Sequence, residues 1–509
     1  MKALIAEFVR RYGWPAHAAE RPLCIGHRGA CAHANENTLA AFQVAACLGA
    51  DMWELDARLS RDGVVMVCHD DAAIAADGRR ITFAAHDAAD IAHVPLERGG
   101  AVPTLQEVIR LAIKSGCGLY VEVKERAAAL PTLRLLSASA VPFAAVGSFD
   151  HDTVRDLAAA RREHSRFPIS VLVRVGEDPF TVAADTGAEV VHLCWERVPG
   201  APDRLVTPDF IARAACERLL VVIWHEERRA VLDRLVTLPV VGICTDKPEM
   251  MNRYEQHPDY PIEVVCHRGM NTIAPENTLH AARLCFDQGF QVVELDVRRT
   301  ADGALVVIHD ETLDRTTDGA GSVAALTIAE LGRLSAGIRF DAFFKEERIM
   351  PLSAFLEAAN AEGQLYIEIK DADPAATLAE VERMGILPRV FFRSTDATRL
   401  AALRSLSADV RIMVERDKFP MIRDAIEALR PAIVQFNWAH DDLEEIGDCH
   451  KAGIAAMVKY FGADAAVFER IIRLKPDMIN IDRPDVFLAA YAKVTGKALG
   501  RLLFKAGVR

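Results

Sequence analysis

Short apolar runs alternate with amphipathic stretches of helical period along both halves of this chain. In the first half the runs fall at Leu23–His27, Met52–Asp56, Val64–His69, Leu119–Lys124, Ala144–Phe149, Ile169–Val173, Val190–Cys194, Leu219–His225 and Val241–Asp246. Apolar runs separated by helical segments read as strands of a parallel sheet covered by helices. These nine runs are one more than a closed barrel needs. Only Ser60-Arg61-Asp62-Gly63 separates the second run from the third. That is too short for a parallel crossover, and Asp-Gly marks a tight turn. The third run is therefore predicted to return antiparallel to the second, which leaves eight barrel strands. The second half repeats the signal with Ala301-Asp302-Gly303. The predicted fold is α/β, two tandem (β/α)8 TIM-type barrels. Residues 1–20 read as a short amphipathic helix with Leu4, Ile5, Phe8 and Val9 on one face, placed to plug the N-terminal end of the first barrel.

At 509 residues the chain exceeds one ordinary domain. Its polar motifs show how it divides. His27-Arg28-Gly29 recurs as His267-Arg268-Gly269, Glu36-Asn37-Thr38 as Glu276-Asn277-Thr278, Glu54-Leu55-Asp56 as Glu294-Leu295-Asp296, and His69-Asp70 as His309-Asp310, each pair 240 positions apart. Glu122-Val123-Lys124 recurs as Glu368-Ile369-Lys370, now 246 apart. One such match arises by chance; five in one order do not. A tandem duplication is the simplest account. The expected domains are 1–252 and 262–509, joined by a polar linker with two prolines over 253–261.

Hydrophobic content of 51% with 26% charged residues describes a soluble globular chain. A net charge of −12 without a basic stripe argues against a nucleic-acid footprint. Eleven cysteines without paired spacing suit a reducing compartment, so a cytoplasmic location is expected. Glu7 and Arg10-Arg11 interrupt the first apolar run, so no signal peptide is read, and no stretch is long enough to cross a membrane. The tail sets Lys497, Arg501, Lys505 and Arg509 around Leu502, Leu503 and Phe504. It could touch an anionic membrane, but a frayed final helix is the preferred reading.

The repeated residues carry chemistry. Glu294 and Asp296 stand two apart on a strand and face one way, as do Glu368 and Lys370 on the next barrel strand. A single such pair is usually a solvated face. Three carboxylates without a required soft ligand form a hard oxygen site, suited to Mg²⁺ or Ca²⁺ rather than zinc. Lys370 and Arg268 add positive charge fit for phosphate. Antiparallel return of the hairpin brings His309 back beside Glu294 and Asp296, and His69 back beside Glu54 and Asp56. His267 and His309 then supply groups that titrate near neutrality, an acid–base pair. The whole points to metal-assisted phosphoryl chemistry on a diester. Cys24, Cys68 and Cys266 lie near these histidines and read as small apolar side chains rather than nucleophiles. Trp195 and Trp438 are candidates for lining an alcohol pocket, with core packing the equal alternative.

In order and identity these motifs resemble the glycerophosphodiester phosphodiesterase family of phospholipase-C-like barrels, once per half. The resemblance implies metal ligation by Glu54, Asp56 and Glu122 and by Glu294, Asp296 and Glu368. It implies His27 with His69, and His267 with His309, as acid–base pairs. It makes Arg28 and Lys124, and Arg268 and Lys370, the phosphate clamps. The implied reaction releases an alcohol and sn-glycerol 3-phosphate from a small-molecule diester. The alternatives are a lysophospholipase D- or sphingomyelinase D-like activity, or one half acting as a non-catalytic binding module. The second half also has Ala274-Pro275 before its Glu-Asn-Thr, and Leu313-Asp314-Arg315-Thr316-Thr317-Asp318-Gly319 after His309-Asp310. The first half departs there, with His33-Ala34-Asn35 and Asp71-Ala72-Ala73-Ile74. Its shorter connection predicts a more open site, either less selective or tuned to another head group. The second half is the less typical in its late strands, with Ser394-Thr395, Lys459-Tyr460 and Ile481-Asp482.

Overall fold

The structure is a computed structural model that describes residues 1–92, 94–164, 167–194, 202–359 and 363–496. Trp195 and the basic tail from Lys497 lie outside the described residues. The chain divides into two compact units, the first Met1–Asn252, the second beginning at Arg253.

In the first unit eight parallel strands close on themselves: Leu23–Gly26, Met52–Leu59, Gly118–Val123, Ala144–Ser148, Ile169–Val173, Val190–Cys194, Leu220–Trp224 and Gly242–Thr245. Closure comes from the first strand, which pairs with the last on one side and with Met52–Leu59 on the other. The second unit repeats this with Glu263–Cys266, Val292–Arg299, Gln364–Ile369, Val390–Arg393, Arg411–Glu415, Ile433–Asn437, Ala455–Tyr460 and Met478–Ile481. The two (β/α)8 barrels follow the sequence expectation, including its account of the surplus strand. Val65–Val67 runs antiparallel to Met52–Leu59, with Ala57 opposite Val67. Leu305–Val307 does the same against Val292–Arg299.

Local chemistry fixes the alternation. The helix Leu105–Ser115 opens with Thr104 and Glu107 capping each other's backbone and closes at Gly116 in a left-handed conformation, φ 69°. It delivers the chain to Gly118–Val123, buried throughout. The N-terminal helix is shorter than its apolar pattern suggested. It covers Lys2–Tyr12 and stops where Gly13 turns left-handed at φ 69°. Leu4, Ile5, Phe8, Tyr12 and Trp14 pack against Leu23, Met52, Phe143 and Leu220, residues at or near the N-terminal ends of barrel strands. That end of the barrel is sealed, which leaves the C-terminal ends for chemistry.

The excursion after each hairpin folds as a small cap. In the first barrel Ala72–Ile74 pairs with Arg80–Thr82, and Ala73, Ile81, Phe83 and Ile91 bury with Met66. The shorter connection is thus a packed β-turn unit. In the second barrel Leu313, Val323, Leu331 and Ile349 bury with Val306. No described helix is long and apolar enough to cross a membrane.

Candidate active site

Each site begins where the first strand ends. Arg28 and Asn37 take left-handed backbones at φ 50° and 57°, and Arg268 and Asn277 do so at 57° and 58°. Non-glycine residues avoid this region unless the surroundings impose it. Here the reasons are visible. The Asn37 amide donates to the Arg28 carbonyl at 2.9 Å. Its side chain donates to Asp56 Oδ2 at 2.8 Å and accepts from the Asp56 amide at 3.3 Å. The Arg28 amide donates to Glu54 Oε2 at 3.0 Å. Thr38 then caps the helix Leu39–Cys47 through the Ala41 amide. Gly29 is forced: a Cβ there would lie 2.6 Å from the Ala41 carbonyl carbon. In the second barrel the Arg268 amide donates to Glu294 at 2.7 Å, and Asn277 holds Asp296 at 2.8 Å.

These loops and two strands converge on three carboxylates. Asp56 stands opposite Glu122 in the parallel register, and Asp296 opposite Glu368. Glu54, Asp56 and Glu122 offer oxygens within 4.8 Å of one another, and so do Glu294, Asp296 and Glu368. All six are buried. Lys124 Nζ lies 2.8 Å from Glu122 and 3.5 Å from Asp56. Lys370 pairs with Glu368 and lies 3.1 Å from Asp296. Arg28 Nε and Arg268 Nε each lie 3.4 Å from their aspartate. Burial and the neighbouring Asp56 and Glu122 push the Glu54 carboxyl well above its usual range; Glu294 is raised by the same causes. Burial and then Asp56 push Glu122 up to about 7. Burial also opposes ionisation of Asp56 and Asp296, but the lysine and arginine charges outweigh it and hold both low. Asp56 Oδ1, Glu122 Oε2 and Asp296 Oδ1 are buried without a hydrogen bond. Clustered buried carboxylates with unmatched oxygens are costly unless a cation joins them. The donor set, all oxygen, fits a hard divalent ion.

The predicted histidines flank these clusters. Cys68 N donates to Asp56 O, and Ile308 N to Asp296 O, both at 3.0 Å, so each hairpin arm delivers its next residue, His69 or His309, beside the carboxylates. Arg58 and Arg298 donate to the His69 and His309 carbonyls. Each histidine has an aspartate on Nδ1: Asp246 at 2.6 Å from His27, Asp70 at 2.8 Å from His69, Asp482 at 2.8 Å from His267 and Asp310 at 2.7 Å from His309. His27 Nε2 is buried without a hydrogen bond, 3.9 Å from Glu54. Burial lowers the His27 pKa despite Asp246. The His27 bond and charge in turn hold Asp246 at about 2 against its own burial. Burial pushes the Cys68 thiol to about 12, consistent with an inert side chain.

Sequence reasoning gave no role to Asp246, Asp482, Asn37, Asn277, Glu36 or Glu276. For Glu36, Asn37, Glu276 and Asn277 the signal was present, since they stand in the repeated Glu-Asn-Thr motif; Asp246 and Asp482 each follow the last barrel strand of their half. Arg28 pairs with Glu36 at 2.9 Å and Arg268 with Glu276 at 3.0 Å. Arg393, on the strand beside Glu368, was also missed. Nothing at the corresponding Gly147 hinted at it. Trp438 lies under Arg470, whose guanidinium is 4.9 Å from the ring centre.

A (β/α)8 barrel that gathers three carboxylates, two cations and two aspartate-held histidines at the C-terminal ends of its strands has the make-up of an enzyme active site. Comparison with known proteins narrows the class. The model of the glycerophosphoryl diester phosphodiesterase family matches residues 27–250 and again 267–418. A Bacillus subtilis protein named "Putative glycerophosphodiester phosphodiesterase YhdW" is 32% identical over 201 residues, 38% of this chain and 82% of that protein. The glycerophosphodiester phosphodiesterase of Caldanaerobacter subterraneus is 46% identical over 108 residues, 21% of this chain and 44% of its own. Among solved structures, a glycerophosphodiester phosphodiesterase from Agrobacterium tumefaciens is 39% identical, covers 45% of this chain and 99% of its own, and superposes with a TM-score of 0.43. The chain belongs to the glycerophosphoryl diester phosphodiesterase family, and it carries the family domain twice. It is a phosphodiesterase, a hydrolase of phosphoric diesters.

Proposed function

We propose that each barrel hydrolyses a glycerophosphodiester to an alcohol and sn-glycerol 3-phosphate with a divalent hard cation. The observation that carries this reading is the buried carboxylate triad of each barrel, ringed by cations and by histidines held through Nδ1. Glu54, Asp56 and Glu122 hold the ion in the first barrel; Glu294, Asp296 and Glu368 hold it in the second. Mg²⁺ or Ca²⁺ bound there supplies charge neutralisation and polarises a phosphoryl oxygen. Arg28 with Lys124, and Arg268 with Lys370, clamp the remaining phosphate oxygens. Arg28 Nε and Arg268 Nε are buried and make no hydrogen bond, so each has a donor to offer. The aspartates fix His27, His69, His267 and His309 with Nε2 as the working atom. In each barrel one histidine takes the nucleophile's proton and the other protonates the leaving alkoxide.

The second barrel adds a recess of about 130 Å³ lined by Glu276, Arg315, Arg339 and Phe340, among others. We assign it to the alcohol side of the diester, which makes this barrel the more selective one. None of the eleven cysteines is joined in a disulfide, which suits the cytoplasm. The test is turnover of a panel of deacylated diesters and lysolipids by the intact chain, before and after exhaustive chelation. Activity should vanish in chelator and return with Mg²⁺ or Ca²⁺. Full turnover of a diester in chelator would sink the cation role. A preference for lysolipid over every deacylated diester would move the substrate class to the lipid.

A further inference from the structure

Beside the carboxylate site, the first barrel places a second set of donors that its twin lacks. His27 Nδ1 meets Asp246 Oδ1 at 2.6 Å. His225, just beyond the strand Leu220–Trp224, brings its Nδ1 to 4.0 Å from the same oxygen. The two imidazoles lie 4.9 Å apart, centre to centre, with planes 17° from parallel. Cys31 Sγ is 4.0 Å from His27 Nδ1. Glu227 stands 2.9 Å from His225 Nδ1 and accepts from the Asp246 amide at 2.8 Å. One donor from each of His27, His225 and Asp246 falls within 4.8 Å of the others.

The second barrel closes the same space. Asn271 stands where Cys31 does, four residues after the histidine, and donates to Asp482 at 2.6 Å. Phe461 stacks on His267 at 4.2 Å, the place His225 takes beside His27. Both soft donors are thus specific to one barrel and both face one aspartate.

We propose that His27, His225 and Asp246, with Cys31 as the fourth ligand, form a second cation site in the first barrel, selective for a zinc-like ion. Two imidazoles, a carboxylate and a thiolate are the ligands tetrahedral zinc takes, whereas the neighbouring oxygen triad suits a hard ion. Ligand atoms about 2.1 Å from a tetrahedral ion sit about 3.4 Å from each other. The observed 2.6 and 4.0 Å bracket that spacing for Asp246 with each imidazole, while Cys31 Sγ, 4.0 Å from His27 Nδ1 and outside the group of three, turns inward to complete the set. Glu227, which meets the same His225 Nδ1 at 2.9 Å, gives up that nitrogen to the ion and keeps its hydrogen bond from the Asp246 amide. If His27 moves the proton as proposed above, an ion on Nδ1 leaves the ring's only proton on Nε2 and silences this barrel alone. Binding itself does not depend on that role.

The test titrates Zn²⁺ into the intact chain in excess Mg²⁺, against a chromophoric chelator, for wild type, His225→Phe and Cys31→Asn. Phe and Asn are the residues the second barrel carries at these places. Wild type should bind one more tight zinc than His225→Phe, and Cys31→Asn should bind it at least about tenfold more weakly. Co²⁺ in wild type should show a thiolate charge-transfer band that Cys31→Asn lacks. Should His225→Phe fail to fold, His225→Gln is read in the same way. Equal zinc stoichiometry and affinity in wild type and the His225 variant overturns the proposal, whatever the diesterase activity of either chain.

Discussion

Glu122 in the first barrel and Glu368 in the second occupy one place in the repeat, yet their surroundings differ. The residue beside Glu122 on the next strand is Gly147, and beside Glu368 it is Arg393. Glu122 meets Lys124 through Oε1, while its Oε2 is buried without a hydrogen bond. Glu368 has Lys370 on Oε1 and Arg393 on Oε2. Arg393 is anchored in turn by Glu415 at 2.9 Å, which Lys459 holds at 2.6 Å. The first barrel could not copy this row without moving backbone, because a Cβ on Gly147 would lie 2.7 Å from the Ser170 carbonyl oxygen. So the half with the fuller family motif has its third carboxylate already engaged by two cations. The half with the divergent motif keeps an oxygen open. Loop motif and readiness for a cation are separate properties, and ranking the two halves by motif alone mixes them.

The largest expected effect tests whether both barrels work. Glu54→Gln and Glu294→Gln each remove one proposed ligand at nearly constant volume. Each single variant of the full chain should retain activity on at least one diester, and the double variant should lose about 10³-fold or more in kcat. If either single change removes all activity on every diester tried, the surviving barrel is a structural partner and the comparison above concerns one enzyme and one relic. Next in size, His309→Ala in the Glu54→Gln background should lower the remaining kcat about 10²- to 10⁴-fold. His309 is half-buried at the end of a hairpin arm, so the melting temperature should hold. Unchanged turnover in that variant removes His309 from the chemistry.

A smaller effect addresses Arg393 itself. In the same Glu54→Gln chain, Arg393→Ala frees Glu368 Oε2 while Glu415 keeps Lys459. Calorimetric titration with Mg²⁺ should show about tenfold tighter binding than the parent, some 1.4 kcal/mol. Weaker binding would mean that Arg393 organises Glu368 for the ion instead of competing with it.

What could be read from the sequence follows from what repeats. Strand runs, the Asp-Gly hairpins and all fourteen predicted site residues rest on periodicity or on motifs present twice, and each motif sits at a strand end, where register alone decides its neighbours. Arg393 was not legible because nothing in Val390–Arg393 says which strand it joins; its meaning appears only when Glu368 is found opposite it. The His225–Asp246 contact likewise joins the ends of two strands whose side chains meet only on closure of the barrel. The N-terminal helix was drawn too long because the apolar pattern continues past Gly13, where the backbone turns left-handed. Asp71-Ala72-Ala73-Ile74 looked like a bare short loop because a two-stranded unit of three residues per strand leaves no periodicity to detect.

The smallest prediction returns to that loop. In the second barrel Arg315 reaches Asp310 at 2.6 Å and Glu276 at 2.7 Å, tying the partner of His309 to the partner of Arg268. At the same offset after the first histidine-aspartate pair stands Ala75. The Arg315 hydrogen bond, outweighing some burial, holds the Asp310 carboxyl at about 2; Arg315 also holds Glu276 low although burial opposes it. A carboxyl whose pKa is depressed by folding stabilises the fold above its unfolded pKa, about 3.9 for Asp, and that contribution is lost as pH falls toward the folded value. The Asp310 share is therefore present at pH 6 and disappears between about pH 4 and about pH 2. Arg315 is 49% exposed, so solvent screens it and the effect is about 1 kcal/mol or less. Arg315→Ala should destabilise the intact chain by that amount at pH 6, and the gap to wild type should narrow steadily as the pH is lowered below 4. Thermal unfolding at a series of pH values reads both. A gap that stays constant with pH would show that Arg315 stabilises the loop by packing alone and that the acid network is not what distinguishes the second barrel's cap.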